Sequence, residues 1–84
     1  MSTNDIREAI LRALRRIAPE ADPASIDPAR PLREQVDLDS VDFLNFLIGV
    51  HQELGVEVPE EDYPQVATLA GCVAYVEARM PAAG

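Results

Sequence analysis

The chain has 84 residues, 48% of them hydrophobic and 26% charged, which is globular composition at a size that supports one small core. A single cysteine excludes an internal disulfide, and a formal net charge of -8 sets the surface against nucleic acid and anionic membranes as partners. The charge is uneven: residues 1–35 hold six acids and six arginines, whereas residues 36–84 hold nine acids and only Arg79, so the whole excess lies in the second segment.

Residues 1–84 are read as a single domain with helices expected near 4–18, 40–54, 60–64 and 68–80. In the first, Ile6, Ile10, Ala13 or Leu14, and Ile17 recur at helical spacing, and Leu11 falls outside that stripe. Ser2, Thr3 or Asn4 caps its start, and Pro19 closes it near Ala18. From Pro19 to Leu38 the chain carries Pro19, Pro23, Pro28 and Pro31, which predicts a long ordered connector with extended backbone, anchored by Ile26, Leu32 and Val36. Twenty residues without structure are unusual in a small domain unless they are packed down or functional.

Asp39 or Ser40 begins the second helix, and Gly55 ends it as a left-handed terminator. Val41, Phe43, Leu44, Phe46, Leu47, Ile48, Val50 and Leu54 cover more than one stripe, so part of this surface is either buried by both neighbours or left out for a partner. Gly49 inside the helix costs about 1 kcal/mol relative to Ala and points to close packing or a contact. Glu60-Glu61-Asp62-Tyr63 suits a short helix ended by Pro64. Thr68 caps the last helix, where Leu69, Cys72 or Val73, Val76 and Met80 form the buried stripe and Pro81 is the stop. The sum is an all-α fold, a small four-helix bundle of three main helices and one short one, with a long loop between the first two.

No CxxC, HExxH, GxGxxG or phosphate loop is present, which excludes the common metal and nucleotide sites. His51 lies eleven residues beyond Ser40, about 16 Å along a helix axis, too far for a Ser-His dyad. It reads as an exposed helix residue. Cys72 reads as a small buried hydrophobe, and Asp39 and Asp42 as carboxylates serving the helix dipole. Glu60 and Glu61 read first as a solvated helix start.

Ser40 has two readings. One is a plain helix N-cap. The other is an attachment point, because a phosphate on a hydroxyl at a helix N-terminus is stabilised by free N–H groups and the dipole. An acidic rim of Asp37, Asp39 and Asp42 and the apolar helix behind it favour the second.

The run Val36-Asp37-Leu38-Asp39-Ser40-Val41-Asp42 resembles the phosphopantetheine attachment site of acyl carrier proteins, whose usual form is Leu-Gly-x-Asp-Ser-Leu-Asp. Pro31-Leu32 before it and Gly55-Val56-Glu57-Val58-Pro59-Glu60-Glu61 after it resemble the flanks of that family. The resemblance implies 4'-phosphopantetheine carried over from coenzyme A to Ser40 by a magnesium-dependent phosphopantetheinyl transferase. The terminal thiol of that arm then holds acyl groups as thioesters for loading and processing enzymes. It also implies that Asp39 and Asp42 present the site to the transferase, and that Val41, Leu44 and Ile48 touch partner enzymes; Asp37, outside the family pattern, adds charge directly beside the site.

Three features depart from the family pattern: Asp37 replaces a glycine, Asn45, His51 and Gln52 stand where mid-helix carboxylates are usual, and Phe43 and Phe46 are bulky. They point to a dedicated carrier in fatty-acid, polyketide or related secondary metabolism rather than a general one. The expected chain is a non-catalytic monomer without a membrane span, cytoplasmic because no apolar leader begins it. The alternatives are a peptidyl or aminoacyl carrier, and an acidic helical adaptor in which Ser40 is only a cap.

Overall fold

The computed structural model describes residues 2–80, and within them the fold is helical with one isolated bridge between Pro31 and Thr68. Helix α1 spans Thr3–Ile17, α2 is the single turn Leu32–Gln35, α3 spans Ser40–Leu54, and α4 spans Leu69–Arg79. Short 3-10 helices cover Pro23–Ser25 and Glu60–Val66. The expectation that Pro81 stops α4 falls outside the described residues; within them the helix is already capped at Met80, whose N–H donates to Val76.

The termini follow the local chemistry. Ser2 caps α1 by accepting from the Asp5 N–H, while Asp5 reaches back to the Ser2 N–H and completes a capping box. Those bonds to Ser2 hold the Asp5 carboxyl below its ordinary range. Arg15 and Arg16 complement the negative end of α1. Thr68 caps α4 through the Gly71 N–H. Gly55 ends α3 at φ 70° and ψ 14°, a conformation that side chains with a Cβ resist.

The core gathers Ile6, Ile10 and Leu14 of α1, Phe46 and Val50 of α3, and Leu69, Cys72 and Val76 of α4. Leu11, expected off the buried stripe, is buried as well. Helix α1 packs against both α3 and α4, so its apolar face is wider than one stripe. Gly49 answers to the same contact: a Cβ there would stand 3.2 Å from Ala13 Cβ, so glycine lets α1 and α3 approach closely.

The connector is ordered, and its backbone is not extended throughout: it holds the 3-10 turn Pro23–Ser25 and the helical turn α2. Ile26, Leu32, Val36 and Leu38 are all buried. Asp22 caps the 3-10 turn through the Ala24 N–H, and Gln35 acts as a clasp, accepting from the Asp27 N–H at 2.7 Å and donating to the Asp27 and Arg30 carbonyls. Backbone bonds from Leu32 N–H to Ala67 and from Ala70 N–H to Pro28 fasten it to the start of α4. A loop whose polar backbone is satisfied in this way can lie against a core.

The short helix after Pro59 also differs from expectation. Pro64 does not end it; a 3-10 helix continues to Val66 with Pro64 inside. The buried Val66 and the contact of this segment with α4 hold it down. A hydrogen bond from the Tyr75 hydroxyl to Asp62 Oδ2 at 2.6 Å ties the two together, and the Arg79 guanidinium lies over the Tyr75 ring at 3.5 Å.

Candidate functional site

Residues 36–39 run extended into α3, and extended backbone sends alternate side chains to opposite sides. Val36 and Leu38 are buried while Asp37 and Asp39 are exposed. The Arg33 Nε donates to the Leu38 carbonyl at 3.3 Å and steadies this approach. The acidic rim is therefore turned outward because its two neighbours are anchored in the core.

Asp39, not Ser40, is the N-cap of α3. Its Oδ1 accepts from the Asp42 N–H at 2.8 Å, and Asp42 Oδ2 accepts from the Asp39 N–H at 3.3 Å, a reciprocal capping box. The first intrahelical bond runs from the Phe43 N–H to the Asp39 carbonyl at 3.0 Å. Ser40 is thus the first helical residue, exposed, with its hydroxyl free of capping duty and its own N–H and that of Val41 at the open, positive end of the helix. Reading Ser40 as the cap is corrected here. Extended backbone at Asp39, φ -84° and ψ -178°, places that carboxylate over the helix end first.

Behind the serine, α3 divides into two faces. Phe43, Phe46, Leu47 and Val50 are buried, whereas Val41, Leu44 and Ile48 are exposed at 63%, 45% and 45%, the large hydrophobic side chains most open to solvent among the described residues. Gly49 is explained by packing, and these three are not. The two phenylalanines face inward: Phe43 meets Phe46 at 5.9 Å between ring centroids and Tyr63 edge-on at 6.0 Å. They shape the interior rather than the exposed face.

The acids bracket this strip. Asp37, Asp39 and Asp42 stand at its start, and the exposed Glu57, Glu60 and Glu61 lie beyond its end, with no carboxylate from residue 43 to residue 52. A shallow groove along it is lined by Leu44, Leu47, Ile48, His51, Glu57, Val58 and Tyr63. His51 is exposed and one of its walls.

Cys72 is fully buried, and burial pushes its thiol up to about 12, so it holds no nucleophilic thiolate at neutral pH. Among the described residues no group of His, Cys, Asp or Glu side chains forms a metal cage, and no helix is long and apolar enough to cross a membrane.

Three features escaped sequence reasoning. Arg33 sits beside the site through its bond to Leu38, five residues on, which no periodicity signals. Asp62 joins Tyr75 and Arg79, and burial followed by the bond to Asp62 raises the Tyr75 hydroxyl above its ordinary range. Glu53 takes both Arg12 at 3.3 Å and Arg16 at 2.7 Å, a clamp between helices whose only sequence trace is the i, i+4 spacing of the two arginines.

Comparison of the sequence with known proteins matches it to a family. The family model described as phosphopantetheine attachment site aligns with residues 4–76. The acyl carrier protein of Rubrobacter xylanophilus is 27% identical over 73 residues, covering 83% of this chain and 90% of its own length. That of Lactobacillus acidophilus is 28% identical over 58 residues, 69% of this chain and 72% of its own. The meromycolate extension acyl carrier protein of Mycolicibacterium smegmatis is 26% identical over 74 residues, 84% and 75% respectively. With an all-helical bundle and the family model spanning most of its length, the chain belongs to the acyl carrier protein family, whose domain bears covalent 4'-phosphopantetheine.

Proposed function

We propose that Ser40 is the attachment residue and that residues 1–84 form one carrier domain serving a dedicated acyl pathway in fatty-acid, polyketide or related secondary metabolism. The observation that carries this is the division of labour at the start of α3: Asp39 supplies the cap, which leaves the exposed Ser40 hydroxyl uncommitted beside open backbone N–H groups. The same observation disfavours an adaptor in which Ser40 serves only as a cap.

The residues fit the group. Ser40 Oγ attacks a phosphorus of the pyrophosphate bridge of coenzyme A; the new O–P bond forms as the bridging P–O bond breaks, and the adenosine nucleotide leaves with the electron pair. The hydroxyl proton passes to a base on the transferase. A phosphodiester held on Ser40 would carry its negative charge at the helix N-terminus, where the dipole favours it. When bound, the group supplies a terminal thiol that holds acyl chains as thioesters, so the carrier itself needs no catalytic side chain.

Asp37, Asp39 and Asp42 at one end and Glu60 and Glu61 at the other steer basic partner surfaces, and Val41, Leu44 and Ile48 give each encounter its apolar grip. The absence of carboxylates from residue 43 to residue 52 weakens attraction to generic basic grooves and favours partners matched to a more apolar strip. The chain works as a monomer in the cytoplasm, passing between a transferase, a loading enzyme and processing enzymes.

The test is incubation with coenzyme A, magnesium and a broad-specificity phosphopantetheinyl transferase, followed by fragmentation mass spectrometry. One adduct is expected, on the peptide containing Ser40. An adduct on Ser2 or Ser25 instead would move the site, and no adduct on folded protein would favour the adaptor.

A further inference from the structure

The connector folds over a recess lined by Glu20, Ala21, Asp22, Ile26, Val36 and Asp37, with a volume of about 260 Å³. Its floor is apolar, because Ile26 and Val36 are buried and Ala21 is half-buried. Its rim carries the exposed carboxylates of Glu20, Asp22 and Asp37, and among the described residues none that lines it is cationic. The walls are held before any partner arrives. Asp22 accepts from the Ala24 N–H and from the Ser25 hydroxyl, both at 3.0 Å, and Gln35 is fixed by its bonds to Asp27 and Arg30. A recess formed in advance costs little ordering when something docks in it.

Position ties the recess to the attachment residue. Asp37 stands three residues before Ser40 on extended backbone, about 10 Å away at most. A standard interface covers about 800 Å² on each partner, a disc of about 16 Å radius. An enzyme centred on the Ser40 hydroxyl therefore reaches past Asp37 into the recess. The charge pattern points the same way: α3 has no carboxylate from residue 43 to residue 52, whereas the connector brings Glu20 and Asp22 to the same rim as Asp37. Negative charge is concentrated ahead of the helix rather than along it.

Resting on the carrier reading, we propose that this recess is a second docking point for the phosphopantetheinyl transferase: it takes a lysine or arginine side chain of that enzyme, and Glu20 is a specificity-determining residue far in sequence from the attachment motif. The methylenes of such a side chain lie along Ala21, Ile26 and Val36, while its charged head stays at the wet rim between the carboxylates. An acidic side chain is repelled there, and a wholly apolar one strips water from the rim without replacing it. Two contacts, one at the start of α3 and one in the recess, fix how the enzyme is turned about the hydroxyl. Glu20 touches none of the reacting atoms, so it acts on binding and not on the transfer itself.

The experiment measures KM and kcat of a broad-specificity transferase for the unmodified protein, with coenzyme A and magnesium saturating, and follows backbone amides by NMR as the enzyme is added without coenzyme A. Glu20→Gln is expected to raise KM, and Glu20→Gln with Asp37→Asn to raise it about five-fold, with kcat held. The gap should narrow in about 0.5 M salt as screening shortens. Glu8→Gln with Glu77→Gln removes the same two charges from α1 and from the end of α4 that bonds Thr3, and should leave KM near wild type. In the titration the amides of Ala21 and Ile26 are expected to shift along with those of residues 39–42. A KM in Glu20→Gln equal to wild type, an equal rise in the Glu8 and Glu77 control, or unmoved Ala21 and Ile26 amides would overturn the inference while leaving the carrier reading intact. The wild-type titration decides even if a variant fails to fold. No adduct on folded wild type would overturn the carrier reading and this inference with it.

Discussion

Replacing Asp39 and Ser40 by alanine, one at a time, separates the two roles that adjoin at the start of α3. Asp39→Ala removes the acceptor of the Asp42 N–H, while the return bond from the backbone N–H of residue 39 to the Asp42 carboxylate keeps its donor. A lost N-cap costs about 1 kcal/mol, up to about 2 in proteins, and the aspartate also gives up its favourable interaction with the helix dipole. Ser40→Ala removes a hydroxyl that does no capping at an exposed first helical position, where alanine is the better helix former. Its effect is expected within about 0.5 kcal/mol, of either sign. In a domain of this size 1 kcal/mol moves the melting temperature by about 4 to 8 °C, so Asp39→Ala should melt several degrees lower and Ser40→Ala close to wild type. Asp39→Asn keeps the cap and should keep the stability while losing the charge proposed to meet the transferase. Circular dichroism melts and urea curves on the three variants decide it. A loss of 1 kcal/mol or more in Ser40→Ala with little change in Asp39→Ala would show the wrong residue was assigned to the cap.

Other outcomes follow from the packing. Gly71→Ala should destabilise by about 1 to 3 kcal/mol, because its Cβ would fall 2.5 Å from the Gln65 carbonyl oxygen and 2.9 Å from Thr68 Oγ1; a urea midpoint equal to wild type would contradict this. Gly49→Leu, forced against Ala13, should cost at least as much, measured in the same way. Cys72 favours its neutral thiol in the fold, pushed up to about 12 from an ordinary 9.0, so its contribution is complete below pH 9 and lost as pH rises from 9 towards 12. Urea midpoints across that range should fall more steeply for wild type than for Cys72→Ala, and a thiol reagent at pH 8 should label only the unfolded protein. Ser2→Ala keeps the Ser2 backbone N–H, the larger cause, and removes only the side-chain share, so the Asp5 carboxyl should rise part of the way towards its ordinary range, seen as a higher midpoint in an NMR titration of that side chain.

Much of the site is legible along the chain because it is local. The Asp-Ser-Val-Asp run, the helix it opens, Gly55 and the capping Thr68 depend on neighbours a few residues apart, and each lies where periodicity and cap chemistry put it. What could not be read is set by contacts between distant segments. Leu11 is buried because α1 lies against two helices, and the connector takes helical turns at Pro23–Ser25 and Leu32–Gln35 in place of extended backbone, fastened where Leu32 and Ala70 bond across to residues 67 and 28. The choice between Asp39 and Ser40 as cap turns on one residue's backbone angles, a finer distinction than composition carries. Arg33 reads as one more surface arginine until its bond to Leu38 places it beside the site.

The central claim is that the free hydroxyl of Ser40 carries the prosthetic group. Its most direct test is the intact mass of wild type and Ser40→Ala after the same exposure to transferase, coenzyme A and magnesium, with both shown to be folded by their melts. A single phosphopantetheine increment on wild type and none on the variant is the expected result. An increment on Ser40→Ala, or none on either protein, would contradict the account.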